Sequence, residues 1–94
     1  MTFADEIWER LPGGVLIRQG IADLLAGKTT IGACLVAIAL PRMKALGLIP
    51  GDFRPAIAEG ELTLYRLLRN QPGDAYFRYN ALLGELASFL NCAR

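Results

Sequence analysis

Between Thr30 and Pro41 runs an apolar decamer, Ile31 to Leu40 (IGACLVAIAL), with no charge and no strong polar group. A helix of that length spans only ~15 Å, about half the ~30 Å hydrocarbon core of a bilayer. The run is too short to cross a membrane and too apolar to face water on most sides. It predicts the buried spine of a small helical domain. Thr30 can cap its N-terminus. Pro41 lacks the N–H that a helix interior needs, and it biases Leu40 away from helical dihedrals. Two outcomes satisfy that constraint. One is a kink. The other is a new short helix from Pro41 to Leu46, ended by Gly47, since proline suits the first helical position. Gly32, Ala33 and Ala37 keep part of the surface small, so a neighbouring helix can approach closely.

The flanking sequence supplies the covering helices. Thr2-Phe3-Ala4-Asp5 has the spacing of a capping box with Asp in the Glu place, and it would open a short helix to about Arg10. Glu6 and Arg10 stand four apart in the favourable order. Pro12-Gly13-Gly14 breaks the chain. Val15 to Ala26 forms a second helix with Ile17, Ile21, Leu24 and Leu25 on one stripe, while Arg18 and Asp23 point elsewhere. Gly27 suits its left-handed C-terminal position. Leu48 to Ala58 is turn-rich, with Pro50, Gly51, Asp52 and Pro55. Its anchors are Leu48, Ile49, Phe53 and Ile57. From Gly60 to Asn70 a further helix turns Leu64, Leu67 and Leu68 inward and Arg66 and Arg69 outward. Gln71-Pro72-Gly73 stops it. Asp74 can cap a last helix to about Asn91, whose apolar face carries Tyr79, Leu82, Leu83, Leu86, Phe89 and Leu90. No alternation suits a strand and no repeat is present. The expected fold is all-α: a single compact domain over residues 1–94, with five or six helices around the central helix 31–40.

Charge and composition narrow the function classes. Ten Lys and Arg against nine Asp and Glu leave a net charge of +1, which is no electrostatic footprint for nucleic acid or an anionic membrane. Two cysteines make no disulfide framework. The segment after Met1, TFADEIWER, is acidic where a signal peptide is basic and then apolar. A reducing cytoplasm is therefore the expected compartment. The hydrophobic fraction is 53% in only 94 residues. A chain so short buries only ~60–65% of its unfolded surface, so self-association would use the excess.

No motif specifies a chemistry. The chain has no histidine, which removes the commonest general base and the commonest transition-metal ligand. Cys34 and Cys92 lie too far apart in sequence to start a zinc site without help from carboxylates. Asp5, Glu6 and Glu9 share one short terminal helix, where a solvated acidic face accounts for them. Ala22, Gly27, Lys28 and Thr29 match a loose phosphate-loop spacing, but the preceding residues read as the end of a helix and no parallel sheet is available. Helix, Gly27 turn and helix also fit a DNA-binding helix-turn-helix in outline. The second helix would then be the apolar decamer, which offers nothing to a base edge. The chain is read as a non-enzyme with no cofactor and no metal.

Polar and aromatic groups crowd together only at Asp74 to Asn80. Arg78 and Asn80 can both bind an anion or a peptide backbone, and tyrosines suit interfaces. Arg66 and Arg69 come near if the last two helices pack antiparallel. Arg66, Arg69, Arg78, Tyr79 and Asn80 are therefore the candidate interaction or anion site. A structural role competes with it: Asn is a poor helix residue, and Asn80 with Arg78 would pin the irregular connection onto the last helix. Ala81, Gly84 and Ser88 form a small-residue face on that helix, a candidate oligomer contact.

Gly20-Ile21-Ala22-Asp23-Leu24, Ala37-Ile38-Ala39-Leu40-Pro41-Arg42 and Arg78-Tyr79-Asn80-Ala81-Leu82-Leu83 resemble a family of small uncharacterised bacterial all-α proteins, over about two-thirds of the chain. The resemblance implies a bacterial origin and transfers no functional residue. The expected function is a non-catalytic protein-interaction module, self-associating or engaging another protein. The alternative is a small-ligand or anion-binding domain using Arg66, Arg69, Arg78 and Tyr79.

Overall fold

The computed structural model describes residues 5–93, with side chains from Trp8 onward. The capping box at Thr2 to Asp5, the pair of Glu6 with Arg10 and the acidic face of Asp5 and Glu6 lie outside the described residues or side chains. Among the described residues there are six helices and no strand. They are α1 (Asp5–Arg10), α2 (Gly14–Leu25), α3 (Ile31–Ile38), α4 (Leu40–Ala45), α5 (Gly60–Arg69) and α6 (Ala75–Cys92). The radius of gyration is 12.7 Å, close to the ~12.4 Å of a compact chain this long.

α3 is the innermost element. Ala33, Cys34, Leu35 and Val36 have no exposed surface, and α3 touches α2, α4, α5 and α6. The rod is shorter than the decamer. It ends at Ile38, and Ala39 leaves helical geometry at φ −102°, ψ 24°. α4 then starts at Leu40 with Pro41 in its first turn. Proline thus separates two helices here, because the ring and the missing N–H are tolerated only at a helix start.

Both ends of the α2–α3 connection are fastened. Gly27 (φ 79°) follows α2. The N–H of Lys28 donates to Asp23 O at 2.8 Å and that of Gly27 to Leu24 O at 3.1 Å, the two bonds of a Schellman motif. Gly47 (φ 77°) ends α4 in the same manner, with Leu48 N donating to Met43 O at 3.0 Å. On the far side of the first turn, Thr30 Oγ1 accepts from Ala33 N at 3.1 Å and donates to Asp23 Oδ2 at 2.9 Å. Gln19 Nε2 donates to Asp23 Oδ1 at 3.1 Å. Asp23 therefore ties the C-terminal turn of α2 to the cap of α3. It lies off the apolar stripe, as the spacing implies, and its polar partners are Gln19 and Thr30.

α2 and α3 meet through glycine. A Cβ at Gly20 would run into the backbone of Gly32, and one at Gly32 would lie 3.0 Å from Gly20 Cα. α5 covers α3 from another side with Leu64 and Leu68, both fully buried. At its start, a Cβ on Gly60 would sit 2.9 Å from Ile38 Cγ1. The connection from 46 to 59 holds on through buried Ile49 and Ile57, with Leu48 and Phe53 partly buried against the core. α6 closes the domain. Asp74 Oδ1 accepts from Phe77 N at 3.1 Å as its cap. Trp8 of α1 stacks on buried Phe89 of α6, with centroids 5.7 Å apart and planes 8° off parallel.

Candidate functional site

The candidate residues lie on α5 and α6, which pack against each other across the Gln71-Pro72-Gly73 turn. They divide among separate surroundings. Arg66 and Arg69 are exposed on α5 and border one shallow depression with Asn70. Tyr79 belongs to a different groove. Arg78 is half-buried, and its Nη1 donates to Gln71 Oε1 at 2.7 Å. Asn80 is exposed, and its Nδ2 donates to Tyr76 O at 3.0 Å, one turn back on the same helix. The structural role foreseen for this pair is thus corrected. Arg78 braces the α5–α6 turn and Asn80 caps a carbonyl of its own helix. Neither of these bonds reaches the connection at 48–58. A local i−4 acceptor was available to Asn80 at no tertiary cost.

The sequence does not mark the groove around Tyr79 as a unit. Glu61, Leu62 and Tyr65 from α5 line it with Tyr76 and Tyr79 from α6, around a volume of about 320 Å³. Tyr65 and Tyr79 are half-buried and meet edge to face, with centroids 5.6 Å apart and planes at 76°. Tyr76 and Leu62 are exposed. The signal was present in sequence as two short-range spacings. Glu61 and Tyr65 are four apart and Tyr76 and Tyr79 three apart, so each pair shares a helix face. Only the packing of α5 on α6 brings the two pairs together.

The small-residue face is open. Ala81, Gly84 and Ser88 are all exposed, and a Cβ built at Gly84 would meet nothing within 4 Å. Phe77, 72% exposed, continues the same stripe. At ~100° per residue, Phe77, Ala81, Gly84 and Ser88 fall within an arc of roughly 60°. None of the four carries a charge.

Another depression lies between α2, the start of α3 and the end of α5, with a volume of about 440 Å³. Its polar lining includes Gln19, Asp23 and Thr30, already joined in the capping network. Among the described residues no group of three or more Cys, Asp and Glu could hold a metal ion. No described helix is long and apolar enough to cross a membrane. Cys34 and Cys92 are both free, the first buried and the second exposed. Burial pushes the Cys34 thiol above its ordinary value.

Comparison with protein-family models, curated proteins and solved structures finds no match to this chain.

Proposed function

We propose that the protein is a non-catalytic interaction module that associates with a second copy of itself through the outer face of α6. The observation that carries this reading is the stripe of Phe77, Ala81, Gly84 and Ser88, in which one large apolar side chain, 72% exposed, stands in line with three small exposed residues. A two-fold interface must be self-complementary. Residues 77 and 88 are equally spaced about the midpoint between 82 and 83, and so are 81 and 84. An antiparallel pair of α6 helices centred there sets each Phe77 over the partner's Ser88, and each Ala81 over the partner's Gly84. Large then meets small, and small residues at the crossing permit the short end of the 8–10 Å range of helix separations. The absence of charge from the stripe lowers the desolvation cost of covering it. A reducing cytoplasm suits a chain whose two cysteines remain free.

Light scattering coupled to size exclusion tests the reading. Wild type should exceed the monomer mass of 10.2 kDa at micromolar concentrations. Phe77→Asp should return it to monomer. Val15→Asp, a change at another exposed apolar residue (64% exposed) on α2, should leave the assembly intact. A strictly monomeric wild type overturns the proposal.

A second reading, an anion site, is supported by Arg66 and Arg69 on one depression. Phosphate titration followed by amide shifts tests it. Saturable changes confined to residues 66–70 favour it, and uniform or absent changes reject it.

A further inference from the structure

We propose that the tyrosine groove between α5 and α6 receives an arginine side chain from a partner polypeptide. The inference is independent of self-association, because Tyr76 and Tyr79 lie roughly 100° and 160° around α6 from Phe77.

Three tyrosines and one carboxylate line this groove, and Glu61 is the sole charged residue among them. Tyrosine rings present a negative face, which attracts a cation held over it. Tyr65 and Tyr79 stand at 76° to each other with centroids 5.6 Å apart, so their planes form two adjoining walls. Tyr76, 67% exposed, supplies a third aromatic group one turn before Tyr79. Glu61 lies one turn before Tyr65 on α5. Among the described residues its carboxylate has no hydrogen-bond or ion-pair partner. The cationic arginines of α5, Arg66 and Arg69, border a different depression.

This set of groups fits guanidinium better than other cations. A guanidinium is planar, so it stacks on a ring while its edge offers a fork of N–H donors to a carboxylate. Its three-carbon stem can lie along apolar surface such as Leu62. A lysine ammonium is more strongly hydrated and cannot stack. Openness argues for a side chain on a polypeptide over a free metabolite. Small-ligand sites bury most of their ligand's surface, whereas Glu61, Leu62 and Tyr76 are all exposed.

The test uses the full chain and a blocked pentapeptide, glycine except for a central arginine, followed by aromatic and amide NMR shifts. Saturable shifts should be confined to Glu61, Leu62, Tyr65, Tyr76 and Tyr79. Citrulline at the centre keeps the shape and loses the charge, and it should bind about tenfold more weakly or worse. Glu61→Gln and Tyr76→Ala should each weaken binding about fivefold, while Tyr76→Phe, which keeps the ring face, should bind as wild type does. Glu59→Gln, at an acid lining another depression, should change nothing. All the altered side chains are exposed, and an unchanged melting temperature confirms that the fold survives. Equal binding of the arginine, citrulline and leucine peptides would show a merely apolar slot and overturn the proposal. So would an absence of saturation, or an unchanged affinity in Glu61→Gln.

Discussion

The two thiols sit in opposite surroundings and should behave oppositely. Cys34 is fully buried in α3 and Cys92 is exposed at the end of α6. Only a thiolate reacts fast, and burial raises the Cys34 thiol above 9.0. Titration of native protein with a disulfide reagent should therefore modify Cys92 alone, with Cys34 reacting only on unfolding. A Cys92→Ser variant that still reacts rapidly contradicts this. The same burial predicts a pH effect with a definite sign. Below about 9 both folded and unfolded Cys34 hold the proton, so the group contributes no pH dependence. Above that value the unfolded thiol ionises first. The folded state then binds more protons than the unfolded one, and stability falls by up to ~1.4 kcal/mol per pH unit from this group. The margin by which wild type exceeds Cys34→Ala in urea midpoint should thus shrink as pH rises past 9. Two glycines make a second contrast. Ala is about 1 kcal/mol better than Gly inside a helix. Gly84→Ala, in open space, should gain roughly 0.5–1 kcal/mol, measured in a Phe77→Asp background to exclude association. Gly20→Ala meets the Gly32 backbone instead. Backbone cannot yield as a flexible side chain does, so a net loss of about 1–3 kcal/mol is expected despite the propensity gain. Chemical denaturation of both variants checks the pair.

At the scale of elements, the joint between α2 and α3 depends on one hydroxyl. Thr30 Oγ1 serves both the Ala33 N–H and the Asp23 carboxylate. Thr30→Ala should cost about 1 kcal/mol. Asp23→Ala should cost a comparable amount. Because the two residues share one bond, their double mutant should fall short of the sum. Thr30→Ser, which keeps the hydroxyl, should recover most of the loss. Strict additivity in thermal melts would separate the two roles. These elements also mark what the sequence makes legible. Thr30 and Asp74 are readable as caps because a cap's acceptor and donor lie within three residues. Gly27 and Gly47 are readable because a left-handed residue after a helix is a local demand. Asp23 is not, since its partner is across the turn and seven residues away. Nor is the role of Gly20, because its reason is Gly32 on another element. The groove is hidden likewise: α5 and α6 each declare half of it, and their packing supplies the relation. Asn80 is legible only as a poor helix residue that needs a partner, and sequence alone does not say that the partner is a carbonyl of its own helix.

At the scale of the whole molecule, the all-α architecture followed from one apolar run too short for a bilayer and too apolar for a surface. Which surface is left over did not follow, because it depends on which faces the six helices use up in covering α3. The remainder on α6 makes a prediction about folding itself. If two chains share a two-fold interface through Phe77, Ala81, Gly84 and Ser88, the folded dimer is stabilised by mass action. A standard interface removes ~800 Å² from each partner, about one-seventh of the 5731 Å² that this chain exposes. The melting temperature of wild type should then rise with protein concentration across the micromolar range. Phe77→Asp should melt lower at high concentration and show no such dependence, since burying an unpaired carboxylate opposes pairing. Gly84→Leu probes the other half of the contact. A Cβ there meets nothing within 4 Å and the position is exposed, whereas a leucine would hold two α6 helices apart, so the variant should melt normally when dilute and lose the concentration dependence. Circular dichroism melts at several concentrations distinguish these cases. A wild-type melting temperature that stays constant with concentration, alongside a mass of 10.2 kDa, would mean that this face meets only water.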